Sequence, residues 1–153
     1  MRSSIRRVAV PAALFLTAAI FGGGCDLSTK HWAEETLRDR PGQSMSVVDR
    51  YVDLSLSYNE GTAFSFVRDL GTARMVFGVS SLVLVIALFV VVIRKPELRW
   101  RALALGVVAG GAIGNGLDRV LRHGVVDFIQ VHYPWGGSWP TFNVADALVA
   151  IGV

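Results

Sequence analysis

The stretch 75–93 carries no charged side chain over nineteen residues, close to the ~20 apolar residues a helix needs to cross a ~30 Å hydrocarbon core. Such a segment must be given an apolar surrounding, and a chain of 153 residues, of which 52% are hydrophobic, exceeds the usual apolar share of soluble proteins. The chain reads as a small integral membrane protein. A second uncharged run follows Arg2, Arg6 and Arg7, and a third lies between Arg101 and Asp118. Spans are expected at about 8–27, 72–93, 102–118 and 142–153. Arg94, Lys95, Arg99 and Arg101 crowd the short loop around Pro96. By the positive-inside rule that loop and the N-terminus are both cytoplasmic. Val48, Tyr51, Val52, Leu54, Leu56 and Tyr58 fit short strands, with turn residues expected at 59–61. The expected fold is therefore an all-α membrane bundle of four transmembrane helices with a small extracytoplasmic β-platform at about 44–67, in one domain, 1–153. Gly106, Gly110 and Gly114, four residues apart, make a smooth stripe on the third span for another helix to approach.

The net charge of +3 does not indicate nucleic acid, because the basic residues sit at the ends of apolar runs and no basic stripe is interleaved with aromatics. One cysteine, Cys25, excludes an internal disulfide framework, and three scattered histidines provide no zinc pattern. The glycine-rich run 110–116 lies inside an apolar helix and follows no strand, which is the wrong setting for a dinucleotide loop. Basic residues, an apolar stretch and Cys25 have the outline of a lipoprotein signal, but Gly22 stands where a leucine-like residue is usual and later spans would be superfluous.

Asp127 and Asp146 are the candidate chemistry. Each lies among apolar neighbours, where an ionisable group is costly unless used. Nineteen residues separate them across an outer hairpin between the third and fourth spans. If the hairpin brings them together, repulsion keeps one protonated while the other stays charged, the arrangement with which aspartic proteases activate water. Plainer readings stand beside this one: Asn143 with Asp146 three residues on makes a helix cap, and Asp127 ends a strand. Asp26 and Lys30, spaced i, i+4, make a helical ion pair. Asn59 reads as a turn residue. Asp118 and Arg119 read as a pair locking helices together, and Asn115, in an apolar setting, needs a partner.

In order along the chain, Asp26-Leu27-Ser28-Thr29-Lys30, Asn59-Glu60-Gly61-Thr62-Ala63-Phe64-Ser65, Gly114-Asn115-Gly116-Leu117-Asp118-Arg119, Val125-Val126-Asp127-Phe128-Ile129 and Pro140-Thr141-Phe142-Asn143-Val144-Ala145-Asp146 resemble the five motifs of one family, the lipoprotein signal peptidase, or signal peptidase II, of bacteria. Leu27 stands where that family usually has glutamine. The resemblance implies a multi-pass protein of the bacterial cytoplasmic (inner) membrane with its active site toward the extracytoplasmic face. It implies a catalytic pair, Asp127 and Asp146, with Asp26, Lys30, Asn59, Asn115, Arg119 and Asn143 supporting the pair or binding substrate. It further implies a lipid-modified prolipoprotein as substrate, membrane lipid around a monomer, no cofactor and no metal. The rival class is a non-enzymatic membrane protein, a transporter subunit or assembly factor using its aspartates structurally or for protons. A proton path would continue as acids through the bilayer, and the centres of the first three spans contain none.

From 143 to 153 a helix rises only ~16 Å, about half of a ~30 Å core. The natural protein is therefore expected to continue for roughly ten or more mostly apolar residues and a basic tail.

Overall fold

The computed structural model describes residues 2–60, 70–122 and 124–153. Helix α1 (Arg2–Leu37) is continuous through Pro11, and at about 1.5 Å per residue its 36 residues reach ~54 Å, well beyond a ~30 Å hydrocarbon core. Its final turns, from Asp26 on, are the part against which the strands and the last helix pack. A 3-10 turn at Pro41–Gln43 ends this segment, where proline cannot continue a helix. Strands β1 (Ser44–Val48) and β2 (Val52–Asn59) follow, then α2 (Leu70–Arg94), α3 (Arg99–Leu121), β3 (Val125–Val131) and α4 (Val144–Gly152).

Two helical stretches, Arg7–Leu37 and Met75–Arg94, are long and apolar enough to cross a membrane. On α2, Met75, Val79, Leu82, Val83 and Ile86 are all more than half exposed. A continuous apolar face of this size is unfavourable in water and suited to lipid.

Helix α3 is central and packs on α1, α2 and α4. Its expected glycine stripe meets α1: a Cβ on Gly106 would lie 2.5 Å from the Phe15 carbonyl oxygen, and one on Gly110 would lie 3.1 Å from that of Ala19. The stripe is not the whole arrangement. Gly111 serves the α4 face, where a Cβ would come within 2.5 Å of the Ala145 oxygen, and Gly116 serves α2, where a Cβ would come within 2.8 Å of Ser81 Cβ. Small residues on three faces bring three helices close to one axis.

The strands form an antiparallel sheet in the order β1-β2-β3. The β1–β2 turn falls at 49–51, with Arg50 at φ 66°. Tyr51, expected in a strand, lies in that turn, and Asn59, expected as a turn residue, is the last residue of β2 and pairs with Val125. The rest of that motif, 61–65, lies outside the described residues. Between Leu54 and Ser57 the β2–β3 register shifts, a local bulge of the kind that re-aims side chains beside functional sites. The sheet is held to the end of α1 by Ala33 and Leu37 packing with Leu56, Val126 and Phe128.

After β3 the chain doubles back along it. Trp139 N–H donates to Val131 O at 2.8 Å, and Ile129 and Phe142 exchange two backbone hydrogen bonds of 2.8 and 3.0 Å. This return sets Asn143, the N-cap of α4, beside the middle of β3.

Replacing Gly106 by alanine should lower stability by about 1–3 kcal/mol, because the added methyl meets backbone that cannot move aside. Gly24→Ala, where a Cβ meets nothing within 4 Å, should be neutral or slightly stabilising. Thermal unfolding in detergent separates the two outcomes.

Candidate active site

The site is built at one end of the bundle from α1, β2, β3, α3 and the start of α4. Asp127 sits within β3, opposite Ser57, and is 4% exposed. Asp146, in the first turn of α4, is exposed. The two carboxylates are joined through Asn143, which is fully buried. Its Nδ2 donates to Asp127 Oδ1 at 2.7 Å and to Asn115 Oδ1 at 3.1 Å. Its Oδ1 accepts the Asp146 N–H at 3.0 Å, and its own N–H donates to Asp146 Oδ2 at 3.3 Å. The cap reading of Asn143 and Asp146 is thus realised as a capping box, and the cap itself carries Asp146 to Asp127.

Asn115 closes the circuit from α3: its Nδ2 donates to Asp146 Oδ1 at 2.8 Å, and its Oδ1 accepts from Lys30 Nζ at 2.9 Å. Because an ammonium is only a donor, Lys30 dictates which end of the Asn115 amide faces Asp146. The fully buried Lys30 lies 2.7 Å from Asp26 Oδ2 and 2.9 Å from Asp118 Oδ2, so three oxygens surround its ammonium. Asp26 Oδ1 in turn accepts the Ala145 N–H at 2.7 Å, satisfying one of the orphan donors at the start of α4. The ion pair read from i, i+4 spacing is therefore present and ties α1 to both α3 and α4.

Asp118 departs from its expected partner. Instead of locking to Arg119, it spends one oxygen on Lys30 and the Val126 N–H (3.1 Å) and the other on Arg122 (2.8 Å). Arg119 donates to the Asn115 carbonyl at 3.0 Å, lies 5.4 Å from the Phe77 ring centre, and adds positive charge near Asp146, Asp127 and Asp118. Asn59 hydrogen-bonds Asp127 from β2. Every residue singled out from sequence lies in this cluster. Asp118, Arg122 and Glu34 belong to it too and were missed as site residues, although Asp118 and Arg122 have the favourable acid-before-base i, i+4 spacing.

Burial, and then the negative charge of Asp146, push the Asp127 carboxyl up to about 6; hydrogen bonds from Asn143 and Asn59 and the charge of Lys30 act the other way. A buried and an exposed carboxylate in one field are a chemically unequal pair, suited to holding one proton between them. Among the described residues no group of three His, Cys, Asp or Glu side chains is arranged for a metal.

The family model described as signal peptidase (SPase) II matches residues 17–153. The chain belongs to the signal peptidase II family. Lipoprotein signal peptidase of Cellvibrio japonicus is 37% identical over 83% of this chain and 74% of that protein. Lipoprotein signal peptidase of Pseudomonas syringae pv. tomato is 39% identical over 91% and 79%. A solved bacterial membrane enzyme superposes with a TM-score of 0.75 at 28% identity, covering 90% of this chain and 86% of that one. The chain is thus a bacterial membrane protease of the aspartic class that acts in lipoprotein processing, and the non-enzymatic reading falls.

A carboxyl whose pKa rises on folding destabilises the folded state when it must ionise. From the ordinary 3.8 to about 6, this cost grows to about 3 kcal/mol, absent below the lower value and complete above the upper. The stability of Asp127→Asn relative to the unsubstituted protein should therefore increase by about 2 kcal/mol between pH 4, where part of the cost is already present, and pH 7.5. Denaturant unfolding at the two pH values measures it, and a constant difference would contradict the shift.

Proposed function

We propose that this chain removes the signal peptide from diacylglyceryl-modified prolipoproteins, cutting on the N-terminal side of the lipidated cysteine with Asp127 and Asp146 as the catalytic pair. The observation that carries the reading is the Asn143 amide, which binds Asp127 through its nitrogen and the Asp146 backbone through its oxygen.

Asp127, buried and with its carboxyl raised, is the resting acid; Asp146, open to solvent, is the base. Water loses a proton to Asp146 as its oxygen bonds to the scissile carbonyl carbon, and Asp127 gives its proton to the carbonyl oxygen. On collapse the carbon–nitrogen bond breaks, the proton on Asp146 passes to the leaving amine, and Asp127 recovers one from the diol. The pair then again shares a single proton. Asn143 and Asn59 hold Asp127, Asn115 holds Asp146, and Asp26 and Lys30 anchor that framework. Arg119 adds positive potential where negative charge develops.

In this reading the chain is one domain with four membrane spans, and its N-terminus and the basic loop at 94–101 are cytoplasmic. The end of the bundle that bears the sheet and the aspartates faces outward, so a lipid-anchored substrate brings its cleavage site to the membrane surface. The protein works as a monomer surrounded by lipid.

Asp127→Asn and Asp146→Asn should each lower cleavage of a purified lipid-modified prolipoprotein by about 10²–10⁴-fold with the fold retained; near-normal turnover would remove that residue from the pair. For orientation, with Cys25 replaced by serine, a cysteine at Pro96 should resist a membrane-impermeant thiol reagent in intact cells while one at Gly137 is labelled. The reverse pattern would place the aspartates on the cytoplasmic side and end the proposed substrate assignment.

A further inference from the structure

Arg122 is the residue at which α3 stops, and it returns to Asp118 twice. Its backbone N–H donates to Asp118 O at 2.8 Å, and its Nη1 donates to Asp118 Oδ1 at 2.8 Å. Its Nη2 reaches Glu34 Oε2 on α1 at 3.0 Å, and Glu34 Oε1 accepts the Tyr58 hydroxyl from β2 at 3.0 Å. Glu34 is buried, whereas Arg122 keeps about a quarter of its side chain exposed, 26%.

Two consequences follow from charge and geometry. Asp26 and Asp118 bring two buried negative charges to the single positive charge of Lys30, and a buried cluster with uncompensated charge is strongly unfavourable. Arg122 brings a second positive charge to Asp118, and Arg38, 4.0 Å from Glu34 Oε1, offsets the charge of Glu34. Without Arg122, both oxygens of Asp118 would draw on Lys30, whose ammonium also holds Asn115 Oδ1 at 2.9 Å. The Asn115 amide would then lose the contact that aims its nitrogen at Asp146. The second consequence concerns β3. Asp118 Oδ2 accepts the N–H of Val126 at 3.1 Å, one residue before Asp127, so the orientation of this carboxylate also fixes where β3 begins.

We infer that Arg122, braced by Glu34, is a positioning residue for the reaction: it orients Asp118 so that Lys30 stays on Asn115 and Val126 stays in place, keeping Asp146 and Asp127 aligned. The inference rests on the assignment of those two aspartates as the reacting pair. Neither Arg122 nor Glu34 touches them directly.

The test uses the full-length protein cleaving a lipid-modified prolipoprotein, with Arg122→Gln, Arg122→Lys and Glu34→Gln compared. Asp127 is faced by the charges of Asp146 from α4, Lys30 from α1 and Arg119 from α3, and by the amides of Asn143 and Asn59. Of these, Lys30 is the one displaced, and since its charge lowers the Asp127 carboxyl, its withdrawal raises it. Arg122→Gln should lower kcat about tenfold or more, with KM little changed, because misalignment of reacting groups is felt in turnover. It should also move the alkaline limb of the kcat/KM profile upward by about half a pH unit. Arg122→Lys should recover part of the kcat and the original limb, since the charge on Asp118 returns. A clasp that only stabilised the fold would reduce yield and unfolding temperature and leave both kcat and the limb unchanged in the folded fraction, which would overturn the inference. Should Arg122→Gln fail to fold, Glu34→Gln still decides. It loosens Arg122 from Asp118 by removing its brace on α1, so it should lower kcat and shift the limb in the same direction but less far; unsubstituted values would overturn the inference. Asp127→Asn in the same assay separates the layers. If it is inactive while Arg122→Gln is normal, the positioning role fails alone; if it is active, the catalytic pair fails beneath it.

Discussion

The ammonium of Lys30 has no access to solvent, and its three acceptors come from two helices: Asp26 on its own helix, and Asp118 and Asn115 on α3. A buried charge of this kind is tolerated only with its partners in place, and removing one typically costs 3–5 kcal/mol because the others are left uncompensated. The interaction is therefore better understood as specifying an arrangement than as adding stability. It fixes α1 against α3 at one height. Through the Asp26 bond to Ala145 it also fixes the first turn of α4, and through Asn115 it fixes the position of Asp146.

That arrangement is possible only because backbones approach closely beneath it. A Cβ on Gly114 would collide with the Asp26 carboxylate, and Gly106 and Gly110 keep α1 in contact along the turns below. Within a membrane no hydrophobic force drives helices together, so close packing of small residues must do so. Gly111 admits α4 and Gly116 admits α2 on the other faces. The glycines and the polar cluster depend on one another: without the close approach, the carboxylates, ammonium and amides could not reach across the helices.

The aspartates are unequal by construction. Asp127 is buried on a strand hydrogen-bonded between β2 and the returning 139–142 segment, while Asp146, in the first turn of α4, is exposed. Both accept hydrogen bonds, Asp127 from Asn143 and Asn59 and Asp146 from Asn115 and the Asn143 N–H, but only Asp127 is held away from water. Asn143 serves both, and its capping role is part of that service, because the bonds that start α4 are the bonds that set Asp146 beside Asp127.

The helices were legible in the sequence because lipid-compatible runs and flanking charges are local patterns; α2 and α3 fall where 72–93 and 102–118 were expected, within a few residues. Asp26 with Lys30 and Asn143 with Asp146 were legible for the same reason, as each pair lies within one helical turn. The motif resemblance brought the remaining site residues together without giving their contacts. Tyr51 has a strand-like residue type yet lies in the turn at 49–51, and Asn59 has a turn-like type yet ends β2, where pairing with Val125 from a strand far along the chain decides its state. Asp118 was assigned to its neighbour Arg119, although adjacent residues on a helix do not face each other, and its true partners include Lys30, eighty-eight positions away. Sequence alone thus marked the apolar runs, of which two form described helices long and apolar enough to cross a membrane, and the polar residues such a chain must account for. Tertiary structure alone decided which polar groups meet, and so which carboxyl is buried and raised, because burial and hydrogen bonding across elements depend on distances that no local pattern records.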